Sequence, residues 1–337
     1  TDSGYVITKD DMASLTGTLS VDDCDNLEGI QYAAQISALR VNSGTFSSIP
    51  DLSALTELGT ISLSSPNCAA LPDISRLTEL ADVTLDMPML TALPDMSSMP
   101  DLRKLTIRNN SNITSLPTGL TGAGSITYFT LTIDNCPNLR LSGLNALPDE
   151  LVDVLIQNCD DYTVEGIEPG NKSIRSIGID ESPGLQLDAS LKNAQNLEIL
   201  KLEACGLSEL PDWIGDMTQL ISLDLTSNAL TEIPACVGLL TNLETLNANQ
   251  NPSLTNVTDL SALTNLTLVK MAYAGLTEFP AGLANIASLE ELDLAGNKLT
   301  NIMVSLEGLT GLKKIKLTNN RFSEMPAALQ DLSNLEY

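Results

Sequence analysis

The 337-residue sequence contains no histidine. That removes the usual Ser-His-Asp and Cys-His routes to an activated nucleophile, and with them the paired-histidine zinc site. The G-x-G at Gly122 opens no strand–helix unit, so no phosphate loop stands out. Carboxylates and thiols remain. Asp180 and Glu203, 23 residues apart with Glu181 beside the first, become a pair about 5 Å apart if the fold sets them on adjacent strands. Such a pair suits a retaining glycosidase, or a Ca²⁺ site if further oxygens join it. The simpler reading is a solvated acidic patch. Asp22, Asp23 and Asp25 admit the same two readings, calcium ligands or a wet turn.

The spacing of 23 is not particular to that pair. From Leu220 to Asn242 the chain reads LISLDLTSNALTEIPACVGLLTN, and copies follow from Leu243, Leu266, Leu289 and Leu312. Leucines at offsets 0, 3, 5 and 10, with Asn or Cys at offset 8, are a leucine-rich-repeat signature. Starts fall at Thr16, Ile36, Leu58, Leu80, Leu102, Tyr128, Leu151, Ile174, Leu197, Leu220, Leu243, Leu266, Leu289 and Leu312, and another opens at Leu335. The spacing is 22 from Ile36 to Leu102 and 23 from Tyr128 onward, with one 26-residue unit between. These periods predict a cap helix over 1–15, 22-residue repeats with a junction over 16–127, and 23-residue repeats over 128–337, all in one solenoid. Thr8 and Asp11 give the cap a capping-box start.

Offsets 3 and 5 are apolar in nearly every unit, as in Leu223 and Leu225 or Ile177 and Ile179, which predicts a short strand with one buried face. Fourteen such strands stacked at about 4.8 Å make a parallel sheet roughly 65 Å along its arc. Proline stands at offset 14 in Pro50, Pro72, Pro94, Pro211, Pro234, Pro280 and Pro326, ahead of an apolar stripe, and predicts short helical turns on the outer wall. The 22-residue units (DLSALTEL, DISRLTEL) have one residue fewer here and should be tighter and less helical. Glycines at 119, 122 and 124 mark a bulging outer loop in the 26-residue unit. The expected fold is an α/β solenoid: a right-handed horseshoe superhelix, with a concave parallel β-sheet and short helical or 3-10 segments on the convex side.

At offset 8 an inward Asn can satisfy backbone groups of its own coil and the next, and Cys fits the same slot with a weak S–H donor. The structural turn ladder so read contains Cys24, Asn110, Cys136, Cys159, Cys205, Asn228, Asn251, Asn297 and Asn320. Cys68 and Cys236 fall on core offsets. Cys136 and Cys159 stack in adjacent coils within disulfide reach, but with parallel side chains they are read as free thiols.

Offsets 2, 4, 6 and 7 line the concave face. They carry 12 acids and 7 bases, against 31 and 10 elsewhere, so charge does not point to a binding surface. Opposite charges recur in rows (Lys270, Asp293 and Lys316; Glu291 and Lys314; Asp82 and Lys104; Asp86, Arg108 and Asp134), which read as cross-strand stabilisation. Binding hot spots favour Tyr, Trp and Arg. The concave candidates are therefore Tyr273 with Lys270 and Leu268, then Ile199, Lys201 and Leu155 near Gly178, and Arg108 and Arg40. A net charge of −26 argues against nucleic acid, which needs a basic face. No run of about 18 apolar residues suggests a membrane span. No cofactor or metal is expected beyond the Asp180–Glu203 candidate.

The units LSELPDWIGDMTQL and LTEIPACVGLLTNL resemble leucine-rich repeats with an L-P-x-x-[LI] outer segment. DLSALTEL, DLSALTNL and NLEGIQYAAQI are similar to the 22-residue repeats of internalin-type bacterial surface proteins, and NCPNLRLSGL and NNSNITSLP to repeats in secreted proteins of gut anaerobes. Gly44, Pro66 and Pro88 depart from the internalin pattern, where Asn would stand. The resemblance implies a non-catalytic, monomeric scaffold that binds a protein partner through its concave face. It also implies an extracellular or cell-surface location; the start at Thr1 without Met suggests a removed leader, or a lipid or wall anchor outside this chain. The alternatives are the substrate-recognition region of a larger ubiquitin-ligase-like enzyme, or a glycan-binding module.

Overall fold

The computed structural model describes residues 7–120, 128–144, 147 and 152–336. They form two compact units. One runs to Cys159 and adds Thr163–Ile174; the other holds Asp160–Tyr162 and the residues from Arg175 onward. Each is a parallel β-solenoid.

In the first unit the strands are β1 (Gly17–Asp22), β2 (Ile36–Asn42), β3 (Thr60–Ser64), β4 (Asp82–Asp86), β5 (Lys104–Arg108), β6 (Phe129–Asp134), β7 (Val152–Gln157) and the two-residue β8 (Thr163–Val164). From β1 to β7 each pairs in parallel with the next in sequence. The register is set by the alternation of apolar and polar residues, since a slip of one would turn the leucines to solvent. Val83 lies opposite Leu105 and Leu85 opposite Ile107, all four buried. The second unit contains all but the first residue of β9 (Ile174–Asp180), then β10 (Gln186–Leu187), β11 (Ile199–Glu203), β12 (Ser222–Asp224), β13 (Glu232–Ile233), β14 (Thr245–Asn247), β15 (Asn256–Val257), β16 (Leu268–Lys270), β17 (Glu291–Asp293) and β18 (Lys314–Lys316). Its sheet runs β9-β11-β12-β14-β16-β17-β18. Leu200, Leu223, Leu246, Val269 and Leu292 stand in register and are fully buried, and Ile315 continues the row half-buried.

The outer wall follows two local chemistries. Where Pro is followed by an apolar helical stretch, as after Pro211, Pro234, Pro280 and Pro326, it caps a 3-10 helix. After Pro50, Pro72 and Pro94 no helix forms. There the sequence is Asp-x-Ser, and each Asp accepts the Ser N–H two residues on (Asp51 from Ser53, Asp73 from Ser75, Asp95 from Ser97, at 2.9–3.1 Å). The side chain closes a turn that a helix would otherwise close. Asp259 and Ser261 repeat the device in the coil whose outer segment is one residue short. The shared offset-14 proline therefore opens a helical turn at four of its seven positions.

At the amino terminus α1 spans Lys9–Ala13. Thr8 Oγ accepts from Asp11 N–H while the Asp11 carboxylate accepts from Thr8 N–H. As a cover the helix is thin: no residue of α1 or β1 is buried, and it meets the Ile30–Tyr32 turn, where Lys9 Nζ sits 4.4 Å over the Tyr32 ring. Of the glycine-rich outer loop, Gly122 and Gly124 lie outside the described residues, as do Leu151 and Tyr337. Gly119, at φ +80°, lies so close to Asp95 and Ser97 that a Cβ would overlap them.

Candidate functional site

Each coil turns at the end of its concave strand, and the backbone there obeys a rule. The offset-7 residue adopts positive φ in twelve coils: Asp23, Ser43, Asn109, Asn135, Asn158, Glu181, Ala204, Ser227, Gln250, Tyr273, Gly296 and Asn319. Asn, Asp and Gly tolerate this region. Ser65 and Met87 break the rule because Pro66 and Pro88 follow them, and a residue before proline is driven to extended conformations. Tyr273, at φ +57°, stands apart from the other members of the set. A bulky side chain in the left-handed region is a genuine outlier, costing roughly 1–2 kcal/mol. Its ring is 55% exposed and lies against Gly296 of the next coil, where any Cβ would overlap the ring.

Leu268 and Lys270, both half-buried, precede Tyr273 on the outward side of β16, while Val269 between them is buried. On the same face of this unit, three strands away in the order β11-β12-β14-β16, Ile199 is 37% exposed and Lys201 half-buried. At about 4.8 Å per strand the two groups are some 14 Å apart. The other candidates belong to the first unit. Arg40 on β2 and Arg108 on β5 are exposed, and Leu155 on β7 is half-buried.

Between Asp180 and Glu203 stands Lys201, whose Nζ lies 3.1 Å from Asp180 Oδ1 and 2.7 Å from Glu203 Oε2, so the two carboxylates share one ammonium. Burial opposes protonation of Lys201, but the hydrogen bonds to Glu203 and Asp180 outweigh it and hold the ammonium above its usual value. Among the described residues no group of three His, Cys, Asp or Glu is placed to hold a metal ion.

The charge rows hold only in part. Lys316 Nζ reaches Glu291 at 2.9 Å and Asp293 at 3.0 Å, and Lys314 reaches Glu291 at 3.2 Å. Glu291 is accordingly held below its usual value, chiefly by its hydrogen bond from Lys316. Arg108 Nε is 3.6 Å from Asp134, whereas Asp86 accepts from the Asn109 amide instead. Asp293 turns to Lys316, and Lys270 makes no ion pair among the described residues.

Comparison with known proteins supports this architecture. The Leucine Rich Repeat family profile matches residues 288–309. Among solved structures, an internalin from Listeria monocytogenes superposes with a TM-score of 0.54 at 19% identity, covering 98% of this chain and 88% of that one. The functional domain of InlJ from the same organism, which includes a cysteine ladder, gives 0.51 at 21% identity over 98% and 74%. A chain of the Drosophila Toll–Spatzle complex gives 0.66 at 20% identity over 94% and 49%. No sequence match was found among curated proteins.

The chain has the leucine-rich-repeat fold.

Within that fold the offset-8 side chains tie one coil to the next. Asn228 Oδ1 accepts the N–H groups of Cys205 and Leu207 in the preceding coil, while its Nδ2 donates to Leu202 and Leu225 carbonyls. Asn297 does the same for Ala274, Leu276, Met271 and Leu294. Asn251 accepts from Leu230 N–H, and Asn320 from Leu299 N–H. Asn110 differs, because Pro88 in the preceding coil has no N–H to offer. Its Oδ1 turns to Asn112 and Ile113 of its own coil, and its Nδ2 still reaches back to the Met87 and Leu90 carbonyls. Cysteine keeps half of this function. Cys136, Cys159 and Cys205 direct Sγ to carbonyls of Asp134, Gln157 and Glu203 at 3.2–3.3 Å, and Cys159 Sγ accepts Cys136 N–H. All six cysteines are free thiols; Cys24 is half-buried and the rest are buried. Burial pushes the Cys136 and Cys205 thiols up to about 12. The left-handed column escaped the sequence reading, although the Asp, Ser, Asn and Gly residues at offset 7 carry its signal.

Proposed function

We propose that this protein is a non-catalytic binding scaffold of a bacterial cell surface or secretome, and that the outward face of β16 around Leu268, Lys270 and Tyr273 is where it holds a protein partner. The observation that carries this is Tyr273. An exposed aromatic kept in an unfavourable backbone conformation, beside a glycine that makes room for it, is stability given up at one point. Tyrosine is also the residue type that anchors interfaces, with a large rigid surface and a polar tip. The surface location rests on the resemblance to internalin-type repeats. No helix among the described residues is long and apolar enough to cross a membrane. Ile199 and Lys201, on the same face of this unit, form the periphery in this reading.

The test is affinity capture from host-cell and bacterial surface extracts with the wild type and Tyr273→Ala. The reading expects a partner recovered on the wild type and depleted at least about tenfold on Tyr273→Ala, as befits a hot spot. Equal recovery on Tyr273→Ala, with loss on changing Met303 of the outer wall, would move the site to the other face.

A further inference from the structure

The second unit places four lysines on the outward positions of its sheet: Lys201, Lys270, Lys314 and Lys316. Three are engaged by carboxylates, Lys201 by Asp180 and Glu203, Lys314 by Glu291, and Lys316 by Glu291 and Asp293. Lys270 makes no ion pair among the described residues, although it is half-buried and stands in register between Asn247 and Asp293.

The acids around it are already committed. Asp293 Oδ2 accepts from Lys316 at 3.0 Å and Oδ1 from Ala295 N–H at 3.1 Å. Asp224 Oδ1 accepts from Thr226 N–H and Oγ–H, and its Oδ2 from the Asn247 amide at 3.0 Å. Asp293 is thus matched by Lys316 and the Asp224 oxygens are occupied by neutral donors, while the Lys270 ammonium has no carboxylate against it among the described residues. Along the same coil Lys270 stands between two apolar surfaces, Leu268 on the strand and the exposed Tyr273 at the turn.

From this juxtaposition we infer that the partner is a protein that presents an extended segment here, with an Asp or Glu side chain paired to Lys270 and large apolar or aromatic side chains packed on Leu268 to one side of it and on the Tyr273 ring to the other. The inference rests on the concave-face reading and adds the chemistry of the occupant. Leu268 and Lys270 are two residues apart on one strand face, roughly 6.6 Å. An extended peptide repeats its side chains at the same interval, so its acid and the apolar residue on Leu268 stand two positions apart. The carboxylate supplies the counter-charge that Lys270 lacks, in a site where partial burial strengthens the pair. The ring lies over Gly296, whose missing Cβ leaves room for it, so one side of it is already packed before a partner binds.

The experiment is selection of a displayed library of 12-residue random peptides on the full chain, run in parallel on Lys270→Gln and Tyr273→Ala, with melting curves confirming that both variants fold. Enrichment of peptides with Asp or Glu two positions from an aromatic or aliphatic residue supports the inference. So do a loss of about tenfold or more in their affinity on Lys270→Gln and weaker binding at high salt. Peptides that need Tyr273 but show no acidic preference, or bind Lys270→Gln equally well, would overturn the inference and leave the concave face as the binding surface. Selected peptides indifferent to both substitutions, or no enrichment at all, would overturn the inference and count against that surface as well.

Discussion

Tyr273 is held where most coils place a small or polar residue, and two opposing terms meet there. The left-handed backbone disfavours tyrosine by roughly 1–2 kcal/mol, whereas packing of the ring on Gly296 recovers part of that. Asparagine suits the conformation, as Asn109, Asn135 and Asn158 show in other coils. Tyr273→Asn should therefore leave the melting temperature unchanged or raise it by a few degrees while weakening partner binding. A fall of several degrees would mean that the ring is structural. Asn228 gives the opposite case, since it alone satisfies the Cys205 and Leu207 N–H groups from within the core. Asn228→Ala should cost about 2–4 kcal/mol in denaturant unfolding, from buried donors left unpaired; a loss under about 0.5 kcal/mol would contradict the ladder. The sequence showed the Asn column because a polar residue recurring among leucines needs a purpose. It did not show which carbonyls the Asn serves, nor that Asn110 must turn inward because Pro88 lacks a donor.

Among elements, the strands were the most legible. Leucines two apart, repeated every 22 or 23 residues, permit only one buried face and one parallel register. Leu223 is fully buried between Leu200 and Leu246, and Leu223→Ala should cost about 2–5 kcal/mol by urea titration, the range for a core truncation that leaves a cavity. The outer wall was legible in length but not in mechanism. Pro50 and Pro211 occupy the same offset, yet Asp51 and Ser53 close a turn where Asp212–Asp216 forms a 3-10 helix. Side-chain competition for the backbone decides between them. Accepting first the Ser53 N–H and then its hydroxyl holds the Asp51 carboxyl below the usual range. Its contribution is thus present above the ordinary carboxylate pKa and fades as pH falls through the lowered one. Spacing alone made Asp180 and Glu203 neighbours; it did not show that Lys201 would pair with both acids.

Across the whole chain, the net charge of −26 and the absence of histidine leave the thiols as the groups whose burial ties stability to alkaline pH. Cys136 and Cys205 are raised by burial to about 12, well above an unfolded thiol near 8.5. The unfolded chain then releases these protons first. Their stabilising contribution is complete below about pH 8.5 and is lost as pH rises toward 12. The urea midpoint should fall between pH 8 and pH 11, and Cys205→Asn, which fits the slot used by Asn228, should flatten that fall; an identical slope in the variant would contradict it. At this scale the fold could be read from the sequence because a repeat states the same physics many times. The partner could not, because the surface proposed for it is made where one coil departs from the others. A benzophenone amino acid placed in turn at Leu268 and at Met303, which is 85% exposed on the outer wall, tests the central claim most directly in a mixture with surface extract. The account predicts a photo-crosslinked protein adduct from position 268 and none from position 303. An adduct from 303 alone would contradict it.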